Sequence, residues 1–151
     1  MFKGKKILAI IPARAGSKRV KNKNIVNFKG DPMIAKTVKI AKKCKFIDQI
    51  VVSSESKKIL NICKSYGVNT PFLRDSAYDD KSSVQKATLV AVKQSESHYS
   101  KFDVVIQLMP NCPMRKIETL NSSIKHFFLK KKKSQISFFE YGFANPWWAH
   151  K

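Results

Sequence analysis

The amino-acid sequence predicts an α/β fold: a mainly parallel sheet with flanking helices. Three observations predict it. Short apolar runs alternate with longer amphipathic segments along all 151 residues. The first run, Ile7-Leu8-Ala9-Ile10-Ile11, is continuously apolar, the pattern of a strand covered on both faces. Enough chain separates successive runs for a crossover helix, so right-handed parallel connections are the expected topology.

In chain order, residues 6–11 form the first strand, and a polar, basic loop runs from Pro12 to about Gly30. Pro32 opens a helix at its first turn, with Asp31 as its N-cap. The apolar face of this helix comprises Met33, Ile34, Thr37, Val38, Ile40 and Ala41. Residues 48–53 hold the second strand around Ile50-Val51-Val52. Residues 56–66 read as a helix with Ile59, Leu60, Ile62 and Cys63 inward and Gly67 as its stop. A short third strand, broken by Pro71, is expected over residues 68–73. The helix over 82–95 begins with Ser82-Ser83-Val84-Gln85, which has the form of a capping box with Ser82 as cap and Gln85 reaching back. A fourth strand spans 102–108, a helix 116–129 and a fifth strand 135–141. Ligands on such sheets bind beyond the carboxyl ends of the strands, which directs attention to residues 12–24, 53–56 and 109–115.

Composition narrows the function classes. Hydrophobic residues make up 43% and aromatics 11%, which excludes a disordered chain. The opening apolar run is too short for a signal peptide or a membrane span, so a cytoplasmic protein with no membrane partner is expected. Cys44, Cys63 and Cys112 lack metal-ligand spacing and read as buried thiols. Thirty Lys and Arg against ten Asp and Glu give a formal charge of +20. Such a surface attracts polyanions without choosing among them, and a compositional bias toward Lys explains it equally well. Phe127, Phe128, Phe138 and Phe139 follow core-like spacing rather than that of a stacking surface, so nucleic acid is not the expected partner. The lysines at 130–133 sit at a helix end, where cations favour the carbonyl end of the dipole.

The most informative segment lies between the first strand and the first helix. It carries five cations, Arg14, Lys18, Arg19, Lys21 and Lys23, with Gly16 and Ser17 to turn the backbone and offer donors. A triphosphate needs several donors and cations, and an arginine fork among point-charge lysines supplies them. Neither Gly-x-x-x-x-Gly-Lys-Ser/Thr nor Gly-x-Gly-x-x-Gly is present.

Pro12-Ala-Arg14-Ala-Gly16-Ser17-Lys18-Arg19, then Lys23-Asn24-Ile25, then Phe28-x-Gly30-x-Pro32-Met33-Ile34, resembles the signature of the acylneuraminate cytidylyltransferases. The likeness continues through Ile50-Val-Val-Ser53-Ser54, Leu73-Arg74 and Pro110-Asn-Cys-Pro113-Met-Arg115, so it covers nearly the whole chain in order. It implies a Rossmann-like nucleotide-diphospho-sugar transferase layer that takes CTP and a nonulosonic acid of the sialic, legionaminic or pseudaminic type. It implies that Arg14, Ser17, Lys18 and Lys23 hold the triphosphate, with Lys18 and Lys23 as the catalytic cations, and that Asn24, Arg74 and Ser83 contact the nucleotide. Two of these have structural alternatives: Ser83 as a helix cap beside Ser82, and Arg74 as the partner of Asp75 or Asp79.

Two departures qualify the likeness. Where many members of that family have glutamine, this chain has Met109, which packs but makes no amide hydrogen bonds; Gln107 lies two places earlier. The metal-binding aspartates of the family fall beyond Lys151, and neither Asp79-Asp80 nor Glu55 replaces them. Mg²⁺ ligands, sugar contacts and the surface of an expected homodimer are therefore assigned beyond Lys151. The chain reads as the nucleotide-binding part of a longer unit, an expectation in keeping with the adjacent Trp147 and Trp148 near its end. The alternatives are a 3-deoxy-manno-octulosonate cytidylyltransferase, a non-catalytic nucleotide binder and a nucleic-acid-binding protein.

Overall fold

The computed structural model describes residues 1–17, 20–77, 82–131 and 133–137. The principal sheet has three parallel strands in the order β4-β1-β5: β1 (Ile7–Pro12) in the centre, β4 (Gln49–Ser53) on one side and β5 (Val104–Gln107) on the other. Ile10 lies opposite Val51 and also opposite Gln107, which fixes the register. Every residue of β1 is buried, as its unbroken apolar run requires.

The two faces of β1 feed two cores. Ile7, Ala9 and Ile11 pack with Ile34 and Val38 of α1 (Met33–Lys43), Ile59 and Cys63 of α2 (Lys57–Ser65), and Leu120 and Ile124 of α4 (Ile117–Leu129). Phe128 joins this core at its edge, where it meets Phe2 with ring centroids 5.1 Å apart. On the other face Leu8, Ile10 and Val51 pack with Ala91 of α3 (Val84–His98), helped by Phe72 and Phe102. The predicted mainly parallel α/β layer is therefore the observed one.

The local differences have physical causes. The expected loop up to Gly30 contains, among its described residues, a 3-10 turn, Lys23–Ile25, and β2 (Asn27–Phe28), which pairs with β3 (Asp31–Pro32) in a small antiparallel hairpin. Lys29 and Gly30 turn this hairpin with φ of 51° and 84°, the left-handed geometry that two-residue hairpins favour. Asp31 does not cap α1; the N-cap is Pro32, with no side-chain cap bond. The Asp31 carboxylate instead accepts from Lys36, Lys39 and Tyr66, tying the hairpin to α1 and the end of α2. The predicted stop at Gly67 holds, with φ of +80°.

No strand forms over residues 68–73. Thr70 Oγ1 accepts the Val52 N–H at 3.0 Å, so a side chain replaces a neighbouring backbone along that edge of β4, and Pro71 has no N–H to donate. Ser83, not Ser82, caps α3, accepting from Lys86 N at 3.2 Å. Residues 135–137 are not a strand; Gln135 donates to Ser123 and meets His126 on α4. The rest of that predicted strand, Phe138, Phe139, Trp147 and Trp148 lie outside the described residues. Cys44 and Cys63 are buried as expected, whereas Cys112 is exposed in the loop after β5. No helix among the described residues is long and apolar enough to cross a membrane.

Candidate functional site

The carboxyl ends of β1, β4 and β5 open onto one cleft of about 460 Å³. Its walls are Pro12, Arg14, Ser17, Val20, Lys23 and Asn24 from the loop after β1, Arg74 and Ala77, the start of α3, and Met109 to Asn111 after β5. Parallel strands stop there together, and their connections diverge above and below the sheet, which leaves a crevice. Six sequence-predicted site residues line it: Arg14, Ser17, Lys23, Asn24, Arg74 and Ser83. The seventh, Lys18, lies outside the described residues, as do Arg19, Asp79 and Asp80.

The loop after β1 is built from within. Ala13 N donates to Ser53 O at 2.9 Å, which extends the β1–β4 pairing past the last strand residue. Asn24 is buried, and its side-chain amide donates to Arg14 O at 2.8 Å. It thereby folds the 3-10 turn back onto the start of the loop, so both ends of the cation segment are fixed. Asn22, with φ of 55°, makes the left-handed entry to that turn, a conformation asparagine tolerates better than most residues.

Arg74 is only 4% exposed. It does not pair with Asp75. Its NH1 donates to Ser53 O at 3.1 Å and its NH2 to Glu55 Oε2 at 3.0 Å, while its own backbone N–H donates to Ser54 O at 2.8 Å. Burial lowers its pKa, the Glu55 carboxylate opposes that shift, and Arg14 adds to it.

Glu55 is the functional candidate that sequence reasoning missed. Its Oε1 accepts the Ala15 N–H at 2.7 Å, so one carboxylate joins the loop after β1 to Arg74. The available clue was position: an acidic side chain two residues past a strand whose carboxyl end faces the cleft.

Part of the lining is less polar: Ala77, Val84, Ala87 and Met109. Gln107 does not line the cleft. Its Oε1 accepts from Thr88 at 2.8 Å and its Nε2 donates to Met109 Sδ at 3.4 Å, so its amide braces the methionine. Ser83 reaches the rim while its Oγ accepts from Lys86 N, so the capping reading holds whatever else the hydroxyl does.

Residues 8–142 match the model of the cytidylyltransferase family. The chain belongs to that family. It is 35% identical over 129 residues to a pseudaminic acid cytidylyltransferase of Campylobacter jejuni, covering 85% of this chain and 56% of that protein. It is 37% identical over 121 residues to a CMP-N,N'-diacetyllegionaminic acid synthase of Legionella pneumophila, covering 80% and 52%. The chain thus spans about half the length of the curated relatives it matches. Its fold also resembles the solved structure of a CMP:2-keto-3-deoxy-manno-octonic acid synthetase complexed with CTP. That likeness has a TM-score of 0.67 and 21% identity, and covers 83% of this chain and 48% of that one.

Proposed function

We infer that the cleft is the nucleotide site of an enzyme that transfers CMP from CTP to a nonulosonic acid and releases pyrophosphate. The observation that carries this reading is the division in the lining of one crevice between polar and cationic residues, Arg14, Ser17 and Lys23, and less polar ones, Ala77, Val84, Ala87 and Met109. A nucleoside triphosphate has that same division between a polyanion and a flat, weakly polar base. The pseudaminic and legionaminic acid enzymes, at 35% and 37% identity, support a nonulosonic acceptor over the 3-deoxy-manno-octulosonate type, whose relative from Francisella tularensis is 28% identical. A homodimer in a full-length form belongs to the same proposal.

In the reaction, the anomeric hydroxyl oxygen of the sugar bonds to the α-phosphorus, the bond to the β-phosphate oxygen breaks, and the hydroxyl proton is lost to water. Arg14, Ser17 and Lys23 hold the triphosphate. The charge of Lys23, with Lys18 assigned beside it from the sequence, opposes the negative charge that builds on the transferring group. Asn24 keeps its assigned place in the site by fixing the loop through Arg14 O. The described residues do not fit a divalent cation: no group of three His, Cys, Asp or Glu gathers among them, and both Glu55 oxygens are engaged. No step is therefore assigned to Mg²⁺ here.

Calorimetric titration with CTP, ATP and GTP tests the nucleotide assignment. Tightest binding of CTP is expected. Equal affinity for all three would remove the cytidine assignment and leave only a phosphate site, the result to be expected if Met109 and its neighbours make no distinction among bases.

A further inference from the structure

Arginine in a triphosphate cleft ordinarily acts as a phosphate cation. Arg74 is built differently. It is 4% exposed, and both terminal nitrogens are spent on β4 and Glu55, which leaves only its buried Nε–H without a partner among the described residues. No described residue lining the cleft is acidic, and Glu55 itself is not part of the lining. Glu55 therefore neutralises Arg74 from outside the space a ligand would occupy.

We propose that Glu55 is a positioning residue that keeps Arg74 paired and its charge withheld from the phosphates, so that the cleft favours a nucleotide over a bare polyphosphate. The proposal rests on the nucleotide reading of the cleft. Two geometric facts carry it: the 3.0 Å pair to Arg74, and the 2.7 Å bond to Ala15 N–H, which places the loop bearing Arg14 relative to that pair. Without Glu55, the Arg74 charge would face Arg14 uncompensated and would be offered to a polyanion. The cleft would then lose an ordered part of its lining and gain a free cation.

The readout is the ratio of affinities for CTP and for tripolyphosphate, which has three phosphates and no nucleoside. Glu55→Gln retains a carbonyl oxygen for Ala15 N–H and loses the charge that holds Arg74. We expect it to weaken CTP and tighten tripolyphosphate, so that the ratio falls roughly ten-fold or more, the size of effect a charge-assisted hydrogen bond carries. Adding Arg74→Met should abolish the gain for tripolyphosphate while CTP stays weak. This double variant leaves no unpaired charge behind and so keeps the test readable if Glu55→Gln alone folds poorly. An unchanged ratio in Glu55→Gln, or a double variant that binds CTP as tightly as the parent chain, would overturn the inference. Failure of the parent chain to bind CTP would overturn the nucleotide reading and this inference with it; binding insensitive to Glu55→Gln would overturn this inference alone.

Discussion

Replacing Lys23 by Ala asks whether the cleft recognises phosphate or merely shares in the surplus charge of the whole chain. Lys23 is half-buried in the 3-10 turn and lines the cleft beside Arg14 and Ser17. A charge-assisted hydrogen bond from it to a phosphate is worth about 1.5–3 kcal/mol, so its loss should raise the Kd for CTP roughly 10- to 150-fold. Lys131 is the matched control: the same charge, fully exposed beyond the end of α4 and outside the cleft. Either substitution takes the formal charge from +20 to +19, so any effect of net charge must be the same in both. At about 0.15 M salt, exposed charges more than ~8 Å away are largely screened, and Lys131→Ala should leave Kd within experimental error. Calorimetric titration with CTP at that salt compares the two. Equal weakening by both variants would refute the reasoning, because it would make the attraction a property of the surface and restore a nucleic-acid binder as the better reading.

Three further expectations follow from the fold. Lys36, then Lys39, holds the Asp31 carboxylate far below its ordinary range, so its stabilising effect is present above about pH 4 and is lost as pH falls from there toward its folded value; Asp31→Asn should flatten the acid side of a stability-versus-pH curve measured by urea unfolding, and an unchanged slope would count against the cluster. Thr70→Val leaves the buried Val52 N–H without its 3.0 Å acceptor and should cost about 1–3 kcal/mol in urea unfolding, whereas a cost near zero would mean that this edge of β4 is satisfied in another way. Gly67→Ala forces a side chain into φ of +80° and drives its Cβ against Lys42 Nζ; the lysine end can swing away, but the left-handed strain of about 1–2 kcal/mol cannot be relieved, and an unaltered Tm would refute that strain.

What could be read in the sequence follows from how local its causes are. Strand β1 is legible because burial on both faces leaves an unbroken apolar run too short for a helix, and β4 and β5, which flank it, carry shorter runs of the same kind, Ile50-Val51-Val52 and Val104-Val105-Ile106. The cation loop was legible because its residues are consecutive. The strand expected over residues 68–73 does not form although Val68 to Leu73 has strand composition, because the side chain of Thr70 bonds the edge of β4 there. Ser82 and Ser83 are chemically equal as caps; only backbone geometry, with Ser83 at φ −69° and ψ 154°, separates them. Arg74 lines the cleft, and it pairs with Glu55 and not with the adjacent Asp75. Its carboxylate lies 19 positions away, across a turn that composition does not describe.

The few acidic residues account for where the surplus of positive charge ends up. Ten carboxylates serve thirty cations, and four of the described ones make the same kind of joint, binding a cation and a backbone N–H together. Asp48 takes the amino terminus and Ile7 N, Asp103 takes Lys5 and Lys6 N, and Glu96 takes Lys101 and Phe102 N. These three fasten the amino-terminal ends of β1 and β5, or the approach to them, at the end of the sheet opposite the cleft. Among the described acids, Glu55 makes the joint at the carboxyl end, and it spends its charge on Arg74. The loop carrying Arg14 and Lys23 is joined at the Ala15 N–H to Glu55, whose charge is spent on Arg74 beside that loop. A uniform basic surface would attract any polyanion. A cleft that combines a basic loop with a neutralised arginine and less polar lining favours an anion with a nucleoside attached, and that combination, more than the total of +20, is what the Glu55 and Lys23 variants measure.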